Sequence, residues 1–168
     1  LGFGTKFFDY DNDGDVDLFV ANGHVMDRID EIEEGHTYAQ ANQVLDNEGR
    51  GHFTDVSQWL GLHFVSAAVS RAVAVADYDD DGDVDVLVTN VSGSPALLRN
   101  DGGNEGHWLQ IHLVGQRQRD ALGARVVVTA GGRRQVRERQ SGGSYLASHD
   151  PRLHFGLGAA RQADIEGR

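Results

Sequence analysis

Asp9-Tyr-Asp-Asn-Asp-Gly-Asp-Val-Asp-Leu-Phe-Val-Ala-Asn22 recurs as Asp77-Tyr-Asp-Asp-Asp-Gly-Asp-Val-Asp-Val-Leu-Val-Thr-Asn90, with ten of 14 positions identical at an offset of 68. A second block follows each copy: Val44-Leu-Asp-Asn-Glu-Gly49 and Leu97-Leu-Arg-Asn-Asp-Gly102, at an offset of 53. Two copies of one supersecondary unit therefore make up residues 1–105, about 1–64 and 65–105. The first copy is longer by about 15 residues, which fall around His24 to Gln40.

Each copy reads as strand, acidic loop, strand, connection, strand, turn, strand. Thr5 to Phe8 and Ala72 to Ala76 lead into the loops; Val16 to Ala21 and Val84 to Thr89 lead out, rich in residues that suit a pleated, half-buried surface. Four strands per copy is the pattern of a β-propeller blade, so the expected fold is all-β: a partial propeller of two blades. In the surplus of the first copy, Val25, Ile29 and Ile32 recur at i, i+4 and i+7, which predicts a short amphipathic helix.

The loops carry the chemistry. Carboxylates stand at alternate positions, Asp9, Asp11, Asp13, Asp15 and Asp17, then Asp77, Asp79, Asp81, Asp83 and Asp85. Gly14 and Gly82 take the sixth position, where a sharp turn favours a backbone without a Cβ. The spacing lets the side chains of Asp9, Asp11, Asp13 and Asp17, with the Asp15 carbonyl, converge on one hard cation. Asp77, Asp79, Asp81 and Asp85 repeat the set with the Asp83 carbonyl. Oxygen-only ligands favour calcium, two ions per chain, with magnesium second because it sheds water reluctantly. An EF-hand is excluded, since the twelfth position is Val20 or Val88 rather than Glu. The competing reading, a metal-free acidic turn, would leave five carboxylates in nine residues repelling one another, twice.

The stretch from Phe7 to Asn22, and again from Ala76 to Asn90, resembles the FG-GAP or VCBS calcium-loop repeat of integrin α-chain propellers and bacterial surface proteins. His107-Trp-Leu109, Leu113-Val-Gly115, Ala121 to Val126, Ser141 to Leu146 and His154 to Gly158 resemble the ASPIC/UnbV domain that follows such repeats in cartilage acidic protein and its relatives. The resemblance implies a calcium-dependent binding or scaffold module, extracellular, cell-surface or periplasmic, with further blades in the parent chain and a protein or glycan partner. The alternative is an accessory, non-catalytic part of a larger secreted enzyme.

Composition agrees. The 168 residues include 22 Gly and 2 Pro and carry a net charge of −11, which disfavours binding to nucleic acid. From Gly106 onward there are ten Arg against five acidic residues, whereas residues 1–105 hold five basic and 21 acidic groups. Such a break suggests a domain boundary, and 106–168 reads as a small antiparallel β-sandwich. Its strands are expected at Trp108 to Val114, Arg125 to Ala130, Arg134 to Gln140, Tyr145 to Ala147 and Leu153 to Phe155. Arg137 and Arg139 share a strand face; they are candidates for binding an anionic glycan or docking on the acidic repeats, against the plainer reading of a solvated face. There is no Cys, hence no disulfide, and no apolar run approaches the roughly 18 residues of a membrane helix, so no membrane insertion is expected. Leu1 is not an initiator Met, and the chain reads as part of a longer one; Ile165-Glu-Gly-Arg168 matches a protease recognition sequence and carries no functional weight. No nucleophile constellation is visible: Gly142 to Leu146 lacks the second Gly of a nucleophile elbow, and His107/His112 and His149/His154 are five apart, on opposite strand faces. The chain is therefore not expected to be an enzyme, with His154 the one residual candidate.

Overall fold

A computed structural model describes residues 1–116 and 120–168. Strands β1 (Gly2–Phe8), β2 (Asp17–Asn22), β3 (Gln43–Asn47) and β4 (Phe53–Asp55) form an antiparallel meander in chain order. Strands β5 (Ser70–Ala76), β6 (Asp85–Asn90) and β7 (Ala96–Leu98) repeat the first three. The copies share a detail that side-chain identity does not show: the β1–β2 register slips between Gly2 and Thr5, and the β5–β6 register slips at the equivalent Ser70 and Val73.

The two sheets stack face to face, and the register explains why the stack has a direction. Phe8, Phe19, Ala21 and Val44 of the first sheet are buried against Val73, Val75, Val86 and Val88 of the second. Because side chains alternate across a strand, these sets lie on opposite faces of the repeat. Leu87 and Leu97, the equivalents of Phe19 and Val44, are 41% and 49% exposed on the far side of the second sheet. Phe7, the equivalent of Ala74's neighbour Val75, is 55% exposed on the far side of the first. Each free face thus matches a face already buried in the interface. Strands β1 and β5 touch closely: a Cβ on buried Gly4 would stand 2.6 Å from the Arg71 carbonyl oxygen.

The second copy has three strands where four were expected. After Leu98 the chain is drawn towards the first loop instead. Asn100 Nδ2 donates to the Tyr10 carbonyl at 2.6 Å, and Gly103 lies so near that carbonyl that a Cβ would be 2.3 Å away. A 3-10 turn at Gly103–Glu105 then delivers β8 (His107–Ile111) to β11 (Leu153–Gly158) rather than to β7.

The helix expected in the first copy's surplus reduces to one 3-10 turn, Ile29–Glu31. Only Ile29 of its apolar positions is buried; Val25 and Ile32 are 62% and 67% exposed. A segment this short does not repay helix nucleation without a buried stripe. It is held instead by the His24 N–H to the Tyr38 carbonyl and by Arg71, whose Nη2 donates to the His24 carbonyl, both at 2.8 Å.

Beyond residue 105, β9 (Arg125–Ala130) is flanked by β10 (Arg133–Glu138) and β12 (Asp164–Gly167), and β8 pairs with β11. Val126, Val128, Leu153 and Phe155 form the core between these two small antiparallel sheets. Tyr145 to Ala147 is a tight turn rather than a strand: Ser144 bridges Ala147, and Leu146 sits at φ 50. Ile165 to Gly167 is an edge strand, closed by reciprocal backbone bonds between Arg125 and Arg168 of 2.9 and 3.0 Å.

Candidate metal centre and its surroundings

Loop 1 joins β1 to β2 and loop 2 joins β5 to β6. Their backbones match: Asn12 and Asp80 at the fourth position have φ 61 and 59, and Gly14 and Gly82 at the sixth have φ 95 and 96. These left-handed positions turn the chain so that three of the five carboxylates in each loop come together. In loop 1 Asp9, Asp11 and Asp17 each offer an oxygen within 4.8 Å of the others, and Asp77, Asp79 and Asp85 do the same in loop 2. The ninth-position carboxylates are fixed identically. Asp17 Oδ2 accepts from the Tyr10 N–H and Oδ1 from the Asn47 N–H; Asp85 accepts likewise from Tyr78 and Asn100. The second repeated block thus serves the first, a function that its recurrence signalled but did not specify.

The other acidic residues are placed differently. Asp13 is exposed; its Oδ1 accepts from the Asp15 N–H at 2.7 Å, and Asp81 Oδ1 accepts from the Asp83 N–H at 2.9 Å. The Asp15 carboxylate lies 3.0 Å from Arg133 Nη1. Its counterpart Asp83 is fully buried, with Oδ2 accepting from the Gly103 N–H at 3.2 Å.

The electrostatics favour a cation. Burial, then the neighbouring Asp11 and Asp13, pushes the Asp9 carboxyl up to about 7. Burial above all raises Asp17 to about 7 and Asp83 to about 6. Asp11, Asp77 and Asp85 are raised by the same cause. Asp9 Oδ1 is buried without a hydrogen-bond partner. A hard cation would satisfy that oxygen and discharge the cluster, so the donor set fits an oxygen-ligated divalent ion.

The loops are bonded to each other and to the C-terminal sheets. Asn12 Nδ2 donates to the Gly82 and Gly103 carbonyls, both at 3.0 Å, and its Oδ1 lies 2.6 Å from His154 Nε2. The Gly158 N–H donates to the Asn12 carbonyl at 2.8 Å. Trp108 covers loop 2 and stacks on His154 with ring centroids 6.1 Å apart. His154 is thus a joint between the loops and the C-terminal sheets. Arg137 is half-buried rather than solvated: its guanidinium lies 5.4 Å from the Phe155 ring centroid and Nη2 is 3.3 Å from Gln135 Oε1. Arg139 lies just past β10, donating to the Gln140 carbonyl.

Two stacked sheets with paired acidic turns at one end define a blade-repeat protein of the propeller type. A family model for the FG-GAP-like repeat matches residues 9–88, and one for ASPIC and UnbV matches residues 115–166. The chain carries FG-GAP-like repeats followed by an ASPIC/UnbV segment. No curated protein matches it.

Proposed function

We propose that the chain is a calcium-binding part of an extracellular-type binding or scaffold protein, in which two ions stiffen adjacent blade loops. The supporting observation is the pair of like-built carboxylate clusters, Asp9/Asp11/Asp17 and Asp77/Asp79/Asp85. Calcium supplies charge neutralisation and a rigid centre; the residues supply the rest. Asp17 and Asp85 tie each loop to the turn after the third strand, and Asn12 ties loop to loop. Ordering one loop therefore orders the surface formed by both. We assign the chain no reaction of its own, and place it outside the cell, on its surface or in the periplasm. Its partners on this reading are a protein or glycan on the loop surface and further blades on the two free sheet faces. No helix among the described residues is long and apolar enough to cross a membrane.

Calorimetry on chelator-stripped protein tests the metal reading. Two calcium ions should bind with dissociation constants on the order of 10⁻⁴ M, as in extracellular modules. Asp9→Asn and Asp77→Asn should each remove one ion and leave the other countable. Zero or one site in folded wild-type protein would sink the two-loop reading.

A further inference from the structure

We propose that the cavity where β1 and β5 meet the C-terminal segment is a binding site for a small oxyanion, held between the Lys6 ammonium and the Arg137 guanidinium. The cavity is about 120 Å³, room for several waters or one carboxylate or sulfate group. Lys6 comes from β1, an edge strand of the first sheet, and Arg137 from β10, so the site exists only where the two segments pack.

The carboxylates around the cavity are mostly engaged elsewhere, and only Asp9 acts at longer range on Arg137. Asp150 is taken by Arg152, 2.6 Å away, which also reaches Asp80. Asp77 accepts from the Gly82 and Asp81 N–H groups, Asp9 accepts from Gly14, and both belong to the loop clusters. Glu138 is exposed. Among the described residues no carboxylate forms an ion pair with Lys6 or Arg137. Arg137 spends one face on Phe155 and two donors on Gln135 and the Val136 carbonyl, leaving the rest of its planar fork for a ligand. Desolvation, with Arg137 next to it, lowers the Lys6 pKa, and desolvation lowers that of Arg137 against the opposing pull of Asp9. Two desolvated like charges side by side are costly until an anion sits between them. His149 lines the same cavity with its ring kept neutral, its pKa pushed down to about 4 by burial and then by Lys6, which makes it a local reporter.

The inference rests on the metal reading only in counting Asp9 and Asp77 with the loop clusters, and its test holds calcium constant and saturating. Sodium glucuronate and sodium sulfate are titrated separately into the whole chain at fixed ionic strength, with binding read by calorimetry and by the His149 ring signals in NMR. At least one probe should bind saturably at one site and move those signals; which one binds separates a carboxylate carrier from a sulfate carrier. Lys6→Met should weaken binding about tenfold, the loss expected for one charge-assisted hydrogen bond. Arg134→Gln, exposed on the same strand as Arg137, should change nothing. Arg137→Met should match Lys6→Met if it folds; if its loss from Phe155 unfolds the segment, Lys6→Met decides alone. No saturable binding of either anion, wild-type affinity in Lys6→Met, or unmoved His149 signals would each overturn the site.

Discussion

His154 Nε2 lies 2.6 Å from Asn12 Oδ1, and that contact fixes the proton on the imidazole. Asn12 Nδ2 already donates to the Gly82 and Gly103 carbonyls, so Oδ1 must be the acceptor and Nε2 the N–H. Nδ1 is then a bare, buried acceptor without a partner. His154, the residual functional candidate of the sequence, sits in the fold where three segments meet.

Asn12→Ala should therefore destabilise the protein by about 3 kcal/mol, leaving buried carbonyls and an imidazole N–H unsatisfied. Asn12→Asp should be worse, because its carboxylate would face two carbonyl oxygens. Thermal unfolding at saturating calcium measures both. A cost for Asn12→Ala below about 1 kcal/mol would show that the loops are not held together through this residue.

Gly82→Ala should cost about 3 kcal/mol or more, since φ is 96 and the new Cβ would stand 2.0 Å from Trp108 Nε1. In a Trp108→Ala background the clash disappears while the backbone strain remains, so the same substitution should cost distinctly less. Equal costs in the two backgrounds would mean that Trp108 does not press on loop 2.

The stabilisation given by calcium should be larger at pH 8 than at pH 6. Asp9 and Asp17 have folded values near 7 against 3.8 unfolded, so in metal-free protein their stabilising protonation is complete below about 4 and lost as pH rises through about 7. Above 7 the carboxylates repel until a cation binds; below it, the cation must displace protons. His149 and His154, both pushed down to about 4 chiefly by burial, destabilise the fold as pH falls from about 6.5, with or without calcium, and cancel in the difference. The Tm increment on calcium addition, measured at both pH values, is the readout; an equal or larger increment at pH 6 would contradict a buried carboxylate site.

Replacing residues 24–40 with a short Gly-Ser linker should lower stability by about 2 kcal/mol or more while leaving two calcium ions bound. The segment buries Ile29 to 3% exposure and supplies the His24 carbonyl to Arg71 and the Gln40 bridge to Ala68. Unchanged melting would return it to the role of a free surface loop.

The sequence alone determined the repeat, the paired acidic turns and the all-β class, because these are local: a glycine at the sixth position, carboxylates at alternate sites and β-branched runs act within a few residues. The identical slips in β1–β2 and β5–β6 and the matching φ values at Asn12 and Asp80 show one backbone unit under two partly different sequences. What only the tertiary structure decided lies where the copies diverge. Asp15 and Asp83 occupy the same position, yet one meets Arg133 from β10 and the other is buried against Gly103. The apolar spacing of Val25, Ile29 and Ile32 predicted a helix, but only Ile29 found a surface to bury against, and short helices form only when packing supports them. The second blade lacks its fourth strand because Asn100 and Gly103 are held at the Tyr10 carbonyl, a contact across some ninety positions that no local pattern encodes. Arg137 was legible as a charge on a strand face; that it lines one cavity with Lys6 is set by how the C-terminal sheets dock on β1 and β5.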